Sequence, residues 1–204
     1  MRERTTKDAS GRAEELRIFI CIEVPTSIKQ RIEKLQQDLR TLNEPISWTR
    51  PDNVHLTLKF LGDVKSSRLP KITAACESAV HGLTEFEIEV TGAGCFPSAR
   101  APRVFWIGLH DASSCLKKLH ERIEDELARE GFEREGRGFS PHLTIGRARD
   151  PRKAGVVAER LIVIGFEPEW FQARKVIVMR SQLNPKGSIY TPQAVIGLEE
   201  GEND

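Results

Sequence analysis

The same alternating tetrapeptide occurs twice in the chain, as His55-Leu56-Thr57-Leu58 and as His142-Leu143-Thr144-Ile145. Successive side chains of an extended strand point to opposite faces, so the histidine and the threonine of each copy share one face and the aliphatic residues share the other. Each copy therefore predicts a strand that packs its aliphatic face into the core. The opposite face presents an imidazole and a hydroxyl, two residues apart, to a cleft.

The surroundings of the two tetrapeptides indicate an internal duplication. Arg17-Ile18-Phe19-Ile20 resembles Arg103-Val104-Phe105-Trp106, and the two arginines precede the motif histidines by 38 and 39 residues. An amphipathic helical pattern lies between these landmarks in each half, which predicts a repeated order of strand, helix and strand. A duplicated unit tends to pack about a pseudo-twofold axis, by analogy with homodimers. We expect such an axis to set the two motif strands facing each other across a groove.

The domain organisation follows from where the charged ends of the chain give way to apolar patterns. Residues 1–15 are charged and polar, and we predict a disordered extension there. Residues 16–198 are predicted to form a single bilobal domain, with duplicated halves at about 16–91 and 103–198. The acidic tail over residues 199–204 is expected to fray.

Composition argues against several classes of protein. With 31 Lys and Arg against 30 Asp and Glu, no global field attracts nucleic acid, so an anionic ligand needs a local basic patch. Four cysteines without C-x-x-C spacing, and no signal peptide at the start of the chain, indicate free thiols in a reducing compartment. The longest apolar runs are far shorter than a membrane span. We therefore expect a soluble cytoplasmic monomer.

Metal-ligand spacing is missing from the sequence. His81, His110 and His120 lack Cys or His partners at ligand spacing, and the motif histidines have no Asp or Glu within their tetrapeptides. We expect neither a zinc site nor another metal or cofactor.

Two histidines across a groove suit general acid–base catalysis, in which one neutral imidazole removes a proton while a protonated imidazole delivers another. The hydroxyls of Thr57 and Thr144 are placed to donate to the non-bridging oxygens of a phosphoryl group. An isolated strand threonine is more often a simple strand former, but recurrence of the whole unit favours the functional interpretation. With strict alternation, Lys59 lies on the same face as His55 and adds a cation.

Together with their flanks, the paired motifs resemble the 2H phosphoesterase superfamily and, within it, the RNA 2′,3′-cyclic phosphodiesterases, also called 2′-5′ RNA ligases. The resemblance spans residues 16–198. The matching segments are Arg17–Phe19, Trp48–Pro51, His55–Gly62, Phe139–Arg147 and Ser181–Tyr190.

The resemblance implies a bilobal α+β fold in which two antiparallel sheets, flanked by helices, enclose a central cleft. It implies metal-independent hydrolysis of a terminal 2′,3′-cyclic phosphate on RNA, tRNA fragments included, to a 2′-phosphate. Carried onto this chain, His55 is the proton donor to the departing 3′ oxygen and His142 is the base that activates water. Thr57 and Thr144 hold the phosphate.

The resemblance also suggests substrate contacts outside the motifs. Arg147 is a candidate phosphate contact, although strict alternation puts it opposite His142, so the strand must end or bulge before it. Phe139 and Tyr190 are candidates for stacking on a base or ribose, with core packing as the competing interpretation of both.

Two other functions remain open at this point. The groove of a non-catalytic RNA-end binding protein would retain the terminal phosphate without turnover, but binding alone needs cations rather than an acid and base pair. The same chemistry could also act on a small cyclic nucleotide or a 2′-5′ oligonucleotide. The resemblance extends to reversed chemistry that joins RNA ends through a 2′-5′ linkage.

Overall fold

A computed structural model describes residues 14–185 and 187–201, and within them the chain forms nine strands and four α-helices. The strands are β1 Glu15–Glu23, β2 Ile46–Trp48, β3 His55–Lys65, β4 Phe86–Phe96, β5 Val104–His110, β6 His142–Ala148, β7 Glu169–Ala173, β8 Lys175–Gln182 and β9 Ile189–Gly197. The helices are α1 Thr26–Arg40, α2 Leu69–Val80, α3 Cys115–Arg129 and α4 Gly155–Ile164. Most of the predicted N-terminal extension lies outside the described residues, and β1 already begins at Glu15.

All nine strands belong to one antiparallel sheet, which confirms the α+β class. The order is β7-β4-β5-β6-β3-β1-β8-β9, and the short β2 pairs with β6. The two motif strands β3 and β6 lie side by side at the centre, joined where Leu56 pairs with Leu143. The two expected sheets are therefore the two halves of one sheet, and the motifs are neighbours within it.

The two halves of the sheet exchange strands relative to the two halves of the sequence. One half of the sheet consists of β3, β1, β8 and β9, and the other half consists of β6, β5, β4 and β7. Strand β4 thus pairs with the second copy, while β8 and β9 return from the end of the chain to the first. Because of this exchange, the sequence halves at 16–91 and 103–198 do not coincide with the halves of the sheet.

The structure corrects the alignment of the two copies by one residue. Thr57 pairs with Cys21 and Thr144 pairs with Trp106, so Cys21 corresponds to Trp106 and Phe19 to Val104. The match of Phe19 with Phe105 is wrong, because Phe105 points into the main core while Phe19 belongs to a small cluster on the opposite face. A slip of one residue exchanges the faces of a strand.

Helices α1 and α3 cover the buried face of the sheet with the apolar stripes that the sequence predicts. Leu35 and Leu39 are buried in α1, and Ile123 and Leu127 are buried in α3. Each helix also buries one polar residue beside its stripe, Gln36 in α1 and Glu124 in α3. A buried polar side chain needs hydrogen-bond partners, and the Gln36 amide and Oε2 of Glu124 find theirs in the motif strands or beside them.

The acidic end is ordered further than predicted. The backbone N–H of Glu199 donates to the Leu83 carbonyl at 2.9 Å, and its own carbonyl accepts from the Glu85 N–H at 2.9 Å. Fraying from Glu199 onward is therefore wrong at Glu199 itself, and residues 202–204 lie outside the described part. Among the described residues, no helix is long and apolar enough to cross a membrane.

Candidate active site

The register of the central strand pair brings the two motifs together on one face. Because Leu56 pairs with Leu143 in an antiparallel ladder, the next residues along place His55 across from Thr144 and Thr57 across from His142. The four side chains form a square with the two histidines on one diagonal. Ordinary strand spacing and rise give a diagonal of roughly 8 Å between the histidine Cα atoms, enough for one phosphate between the rings.

Both imidazoles are oriented in the same way by the backbone. Nδ1 of His55 lies 2.7 Å from the Asn53 carbonyl oxygen, and Nδ1 of His142 lies 2.8 Å from the Ser140 carbonyl oxygen. A carbonyl only accepts, so Nδ1 of each ring carries the hydrogen. In the neutral imidazole Nε2 then keeps a free lone pair, the state that a general base needs, and protonation there produces a general acid.

Each motif strand bulges at the last residue of its tetrapeptide. Residue 58 is the extra residue in β3 and residue 145 is the extra residue in β6, because Thr57 and Lys59 have consecutive partners on β1 and Thr144 and Gly146 have consecutive partners on β5. The bulge reverses the alternation, so the burial sequence is identical for 55–60 and 142–147. At the far end of each stretch Phe60 and Arg147 are exposed.

The bulge in β6 returns Arg147 to the face of His142, as a phosphate contact at this position requires. The bulge in β3 has the opposite consequence for Lys59, which strict alternation assigned to the face of His55. That assignment is wrong. Lys59 is 6% exposed, and its Nζ donates to Oε2 of Glu124 and to the carbonyl of Glu133, both at 2.7 Å.

His55 lies under two aromatic rings. Phe19 stacks on the imidazole with ring centroids 4.7 Å apart, and Tyr190 meets it edge-on at 5.3 Å. Burial lowers the pKa of His55 to about 4, against a smaller raising effect of the Asn53 carbonyl. The free protein therefore holds this imidazole neutral. The structure places Tyr190 against the ring of His55, and burial also raises the pKa of its phenol.

His142 has a more open setting. Phe96 meets its ring edge-on at 5.2 Å, and a cavity of about 970 Å³ opens beside it. The lining of that cavity includes Phe60, Phe139 and Arg147, and among the described residues it includes neither His55 nor Tyr190. The cavity thus lies on the His142 side of the square, whereas aromatic rings pack against His55 on the other side.

Phe139 lines the cavity and also packs against the core. Its ring stacks on His120 at 3.9 Å with an angle of 12° between the planes, so one face is occupied. The sequence left His120 without partners, whereas the structure places its Nε2 3.9 Å from Oε1 of Glu124. Burial lowers the pKa of His120. The residues that sequence analysis missed in this region are Phe60, Gln36 and Glu124.

Within residues 14–185 and 187–201, no group of three or more His, Cys, Asp or Glu side chains is arranged to hold a metal ion. Cys21 lies on the cleft face, where burial raises the pKa of its thiol to about 12 and keeps it protonated. The four side chains at the corners of the square are two imidazoles and two hydroxyls.

Comparison with known proteins decides the family. The sequence profile of the family described as LigT-like phosphoesterase matches residues 22–106 and 108–190. The chain belongs to this family. As members of the 2H phosphoesterase group, such proteins are hydrolases, and the resemblance seen in the paired motifs is confirmed.

Individual relatives of this 2H phosphoesterase cover almost the whole chain. An RNA 2′,3′-cyclic phosphodiesterase of Methanothermobacter thermautotrophicus is 31% identical over 185 residues, covering 90% of this chain and 100% of that protein. One of Thermotoga maritima is 34% identical over 177 residues, with 86% and 91% covered. The crystal structure of E. coli LigT with 3′-AMP shares the fold, with a TM-score of 0.73 at 22% identity, and covers 91% of this chain and 99% of that one.

Proposed function

We propose that this phosphoesterase hydrolyses the 2′,3′-cyclic phosphate at an RNA end to a 2′-phosphate, with His55 and His142 as the acid and base. The observation that carries the proposal is the pairing of Leu56 with Leu143, which sets each histidine across from the threonine of the other motif. The substrate class is supported by the name of the relatives, RNA 2′,3′-cyclic phosphodiesterase.

The mechanism uses the diagonal of the square. Neutral His142 takes a proton from water through Nε2 while the water oxygen forms a bond to phosphorus. The bond from phosphorus to the 3′ oxygen breaks on the opposite side, and that oxygen receives the proton of His55. Thr57 and Thr144 donate hydrogen bonds to the non-bridging oxygens, and Arg147 contributes positive charge. Because the two histidines lie at opposite corners of the square, the water attacks phosphorus in line with the departing 3′ oxygen.

His55 has to acquire its proton together with the substrate. The pKa of about 4 in the free protein means that the imidazole is neutral near pH 7. A bound phosphodiester brings a negative charge against the ring and favours the imidazolium. The acid is therefore formed in the complex, and we expect a bell-shaped pH dependence of kcat.

A second candidate activity uses a 5′-hydroxyl of RNA in place of water, so that the 5′ oxygen bonds to phosphorus, the bond to the 3′ oxygen breaks, and a 2′-5′ linkage forms. The cavity of about 970 Å³ beside His142 favours it, because one water occupies only about 30 Å³ of liquid volume. The exposed Arg134 and Arg137 line the same cavity, where Arg134 pairs with Asp125 and Arg137 Nε lies 3.8 Å from Oε1 of Glu135. An incoming polyanion would compete with these carboxylates for the two cations.

The decisive assay uses purified protein in EDTA with an oligonucleotide that ends in a 2′,3′-cyclic phosphate. We expect a 2′-phosphate product, and loss of turnover in His55→Ala and in His142→Ala with retained binding. Binding without product in the wild type would support the RNA-end binding alternative. Faster turnover of a small cyclic nucleotide or of a 2′-5′ oligonucleotide than of the RNA end would move the substrate class to those compounds.

A further inference from the structure

The amide of Gln36 is buried where helix α1 crosses the motif strand of the other copy. The residue is 1% exposed, and its Nε2 donates to the Thr49 carbonyl and to the Ile145 carbonyl, both at 2.8 Å. Both partners are acceptors, so the orientation of the amide is determined and its two hydrogens are both used.

The two carbonyls belong to segments that position the active site. Ile145 is the extra residue of the β6 bulge, and its carbonyl also accepts from the Thr49 N–H at 3.0 Å. Thr49 leads into the turn that carries Asn53, whose carbonyl orients His55. One side chain of α1 therefore joins the turn before the first histidine to the bulge after the second threonine.

We propose that Gln36 is a positioning residue, which fixes the bulge at Ile145 and so keeps Arg147 directed at the phosphate. The inference rests on the proposed phosphate contact of Arg147. If the bulge straightened, the register would slip by one residue and Arg147 would turn to the buried face. An apolar side chain at position 36 would leave the Thr49 carbonyl buried without its donor and would deprive the Ile145 carbonyl of one of two donors.

The other half of the molecule has a matching arrangement. Glu124 of α3 is 4% exposed, and its Oε2 accepts from Nζ of Lys59, the residue that follows the β3 bulge, at 2.7 Å. The same oxygen accepts from the Glu135 N–H, in the segment before the second motif, at 3.1 Å. A buried polar side chain of each copy's helix thus contacts the other copy's motif strand, Gln36 at the bulge residue itself and Glu124 at the side chain of the residue after the bulge.

The test is a double-mutant cycle between Gln36→Met, which keeps the size and removes both donors, and Arg147→Ala. The readouts are the Kd for inorganic phosphate by calorimetry, the KM for the cyclic-phosphate RNA end, and the midpoint of thermal unfolding. We expect Gln36→Met to weaken phosphate binding roughly tenfold or more, as loss of a charge-assisted contact would, and to have no further effect once Arg147 is replaced. Its effect on the unfolding midpoint should be the same in both backgrounds.

Leu35→Ala serves as the matched control, because Leu35 is a buried neighbour in the same helix that makes no such hydrogen bond. It should lower the unfolding midpoint and leave the phosphate Kd unchanged. If Gln36→Met does not fold, Gln36→Asn retains the amide but shortens its reach, and the same loss of phosphate affinity is expected.

Two results would overturn the inference. Equal weakening of phosphate binding by Gln36→Met with and without Arg147 would show that Gln36 does not act through Arg147. Unchanged binding in a destabilised variant would show that Gln36 acts only on stability. Unchanged binding in Arg147→Ala would remove the phosphate contact as well as the inference, while the proposed roles of the histidines and threonines would stand on their own assay.

Discussion

The two motif strands share a backbone and differ in what surrounds it. In both, a histidine donates Nδ1–H to a carbonyl two residues earlier, and in both the last residue of the tetrapeptide forms a bulge. Around His55 the aromatic rings close in, whereas His142 borders a cavity. The equivalent positions after the bulges hold Phe60 on one side and Arg147 on the other. Duplication therefore accounts for the geometry of the site, and divergence accounts for the separate roles that we propose.

The largest effect should come from removing either histidine. His55→Ala and His142→Ala should each lower kcat on the cyclic-phosphate RNA end by about 10²- to 10⁴-fold, because each removes one proton transfer. Steady-state kinetics on matched protein preparations measures this. His110→Ala is the control, since His110 is an exposed residue at the end of β5, and it should leave kcat unchanged. Retention of full activity by either motif variant would break the comparison between the two strands.

Lys59 and Gly146 occupy equivalent buried positions after the two bulges, and one position holds a cation while the other holds no side chain. Replacing Lys59 tests what this buried cation contributes. Lys59→Met should reduce the free energy of unfolding by about 3–5 kcal/mol, because it leaves the Glu124 carboxylate buried without its cation. Denaturant unfolding measures the loss. The double variant Lys59→Met with Glu124→Leu should recover much of it. A negligible change in the single variant would contradict the buried ion pair.

Burial of His55 should make stability depend on pH. Its pKa is lowered from 6.5 to about 4 by burial, so the unfolded chain binds the additional proton between these values. The stabilisation is complete above pH 6.5 and is lost as pH falls toward 4, by up to roughly 3 kcal/mol. Urea unfolding from pH 4 to pH 7 measures it, with His55→Asn as the variant that should lose this component of the slope. An identical slope in His55→Asn would place the titrating group elsewhere.

The smallest effect concerns the asymmetry between Phe60 and Arg147. Phe60 is 67% exposed on the cleft face and lines the cavity beside His142. Phe60→Ala should raise KM for an RNA substrate roughly five- to tenfold through loss of stacking, at the low end of what base stacking contributes. Its unfolding midpoint should stay close to that of the wild type. Trp170→Ala is the matched control, an exposed aromatic residue on the edge strand β7, and unchanged KM in both variants would leave Phe60 without a role in binding.

Much of the central site was predictable because it is local. Alternation in two tetrapeptides was enough to place each histidine and its threonine on one face, and the repeat was enough to relate the two strands. The bulges were not readable from alternation, since Gln36 and Glu124 approach them from helices in the other copy. Lys59 was misplaced for that reason, and Arg147 was placed on the cleft face only by resemblance.

The sequence did contain a signal for Phe60. Superposing residues 55–60 on residues 142–147 pairs Phe60 with Arg147, and an aromatic residue opposite a cation across a pseudo-twofold axis deserves a functional question. The exchange of β4, β8 and β9 between the halves had no such signal, because strand order depends on packing across the whole sheet. The predicted match of Phe19 with Phe105 was wrong because both residues stand in an Arg-x-Phe pattern, whereas the strand pairing relates Phe19 to the preceding residue, Val104.

The most direct measurement of the central claim compares two substrates that differ only in the leaving atom. In an RNA end with a 2′,3′-cyclic phosphate, the departing 3′ oxygen needs a proton. When sulfur replaces the bridging 3′ oxygen, the sulfur departs as a thiolate and needs no proton. Single-turnover rates of His55→Ala and His142→Ala should be measured on both. We predict that sulfur restores the rate of His55→Ala toward that of the wild type and leaves His142→Ala inactive. Restoration of His142→Ala instead, or of neither variant, would contradict the assignment of acid and base to opposite sides of one phosphorus.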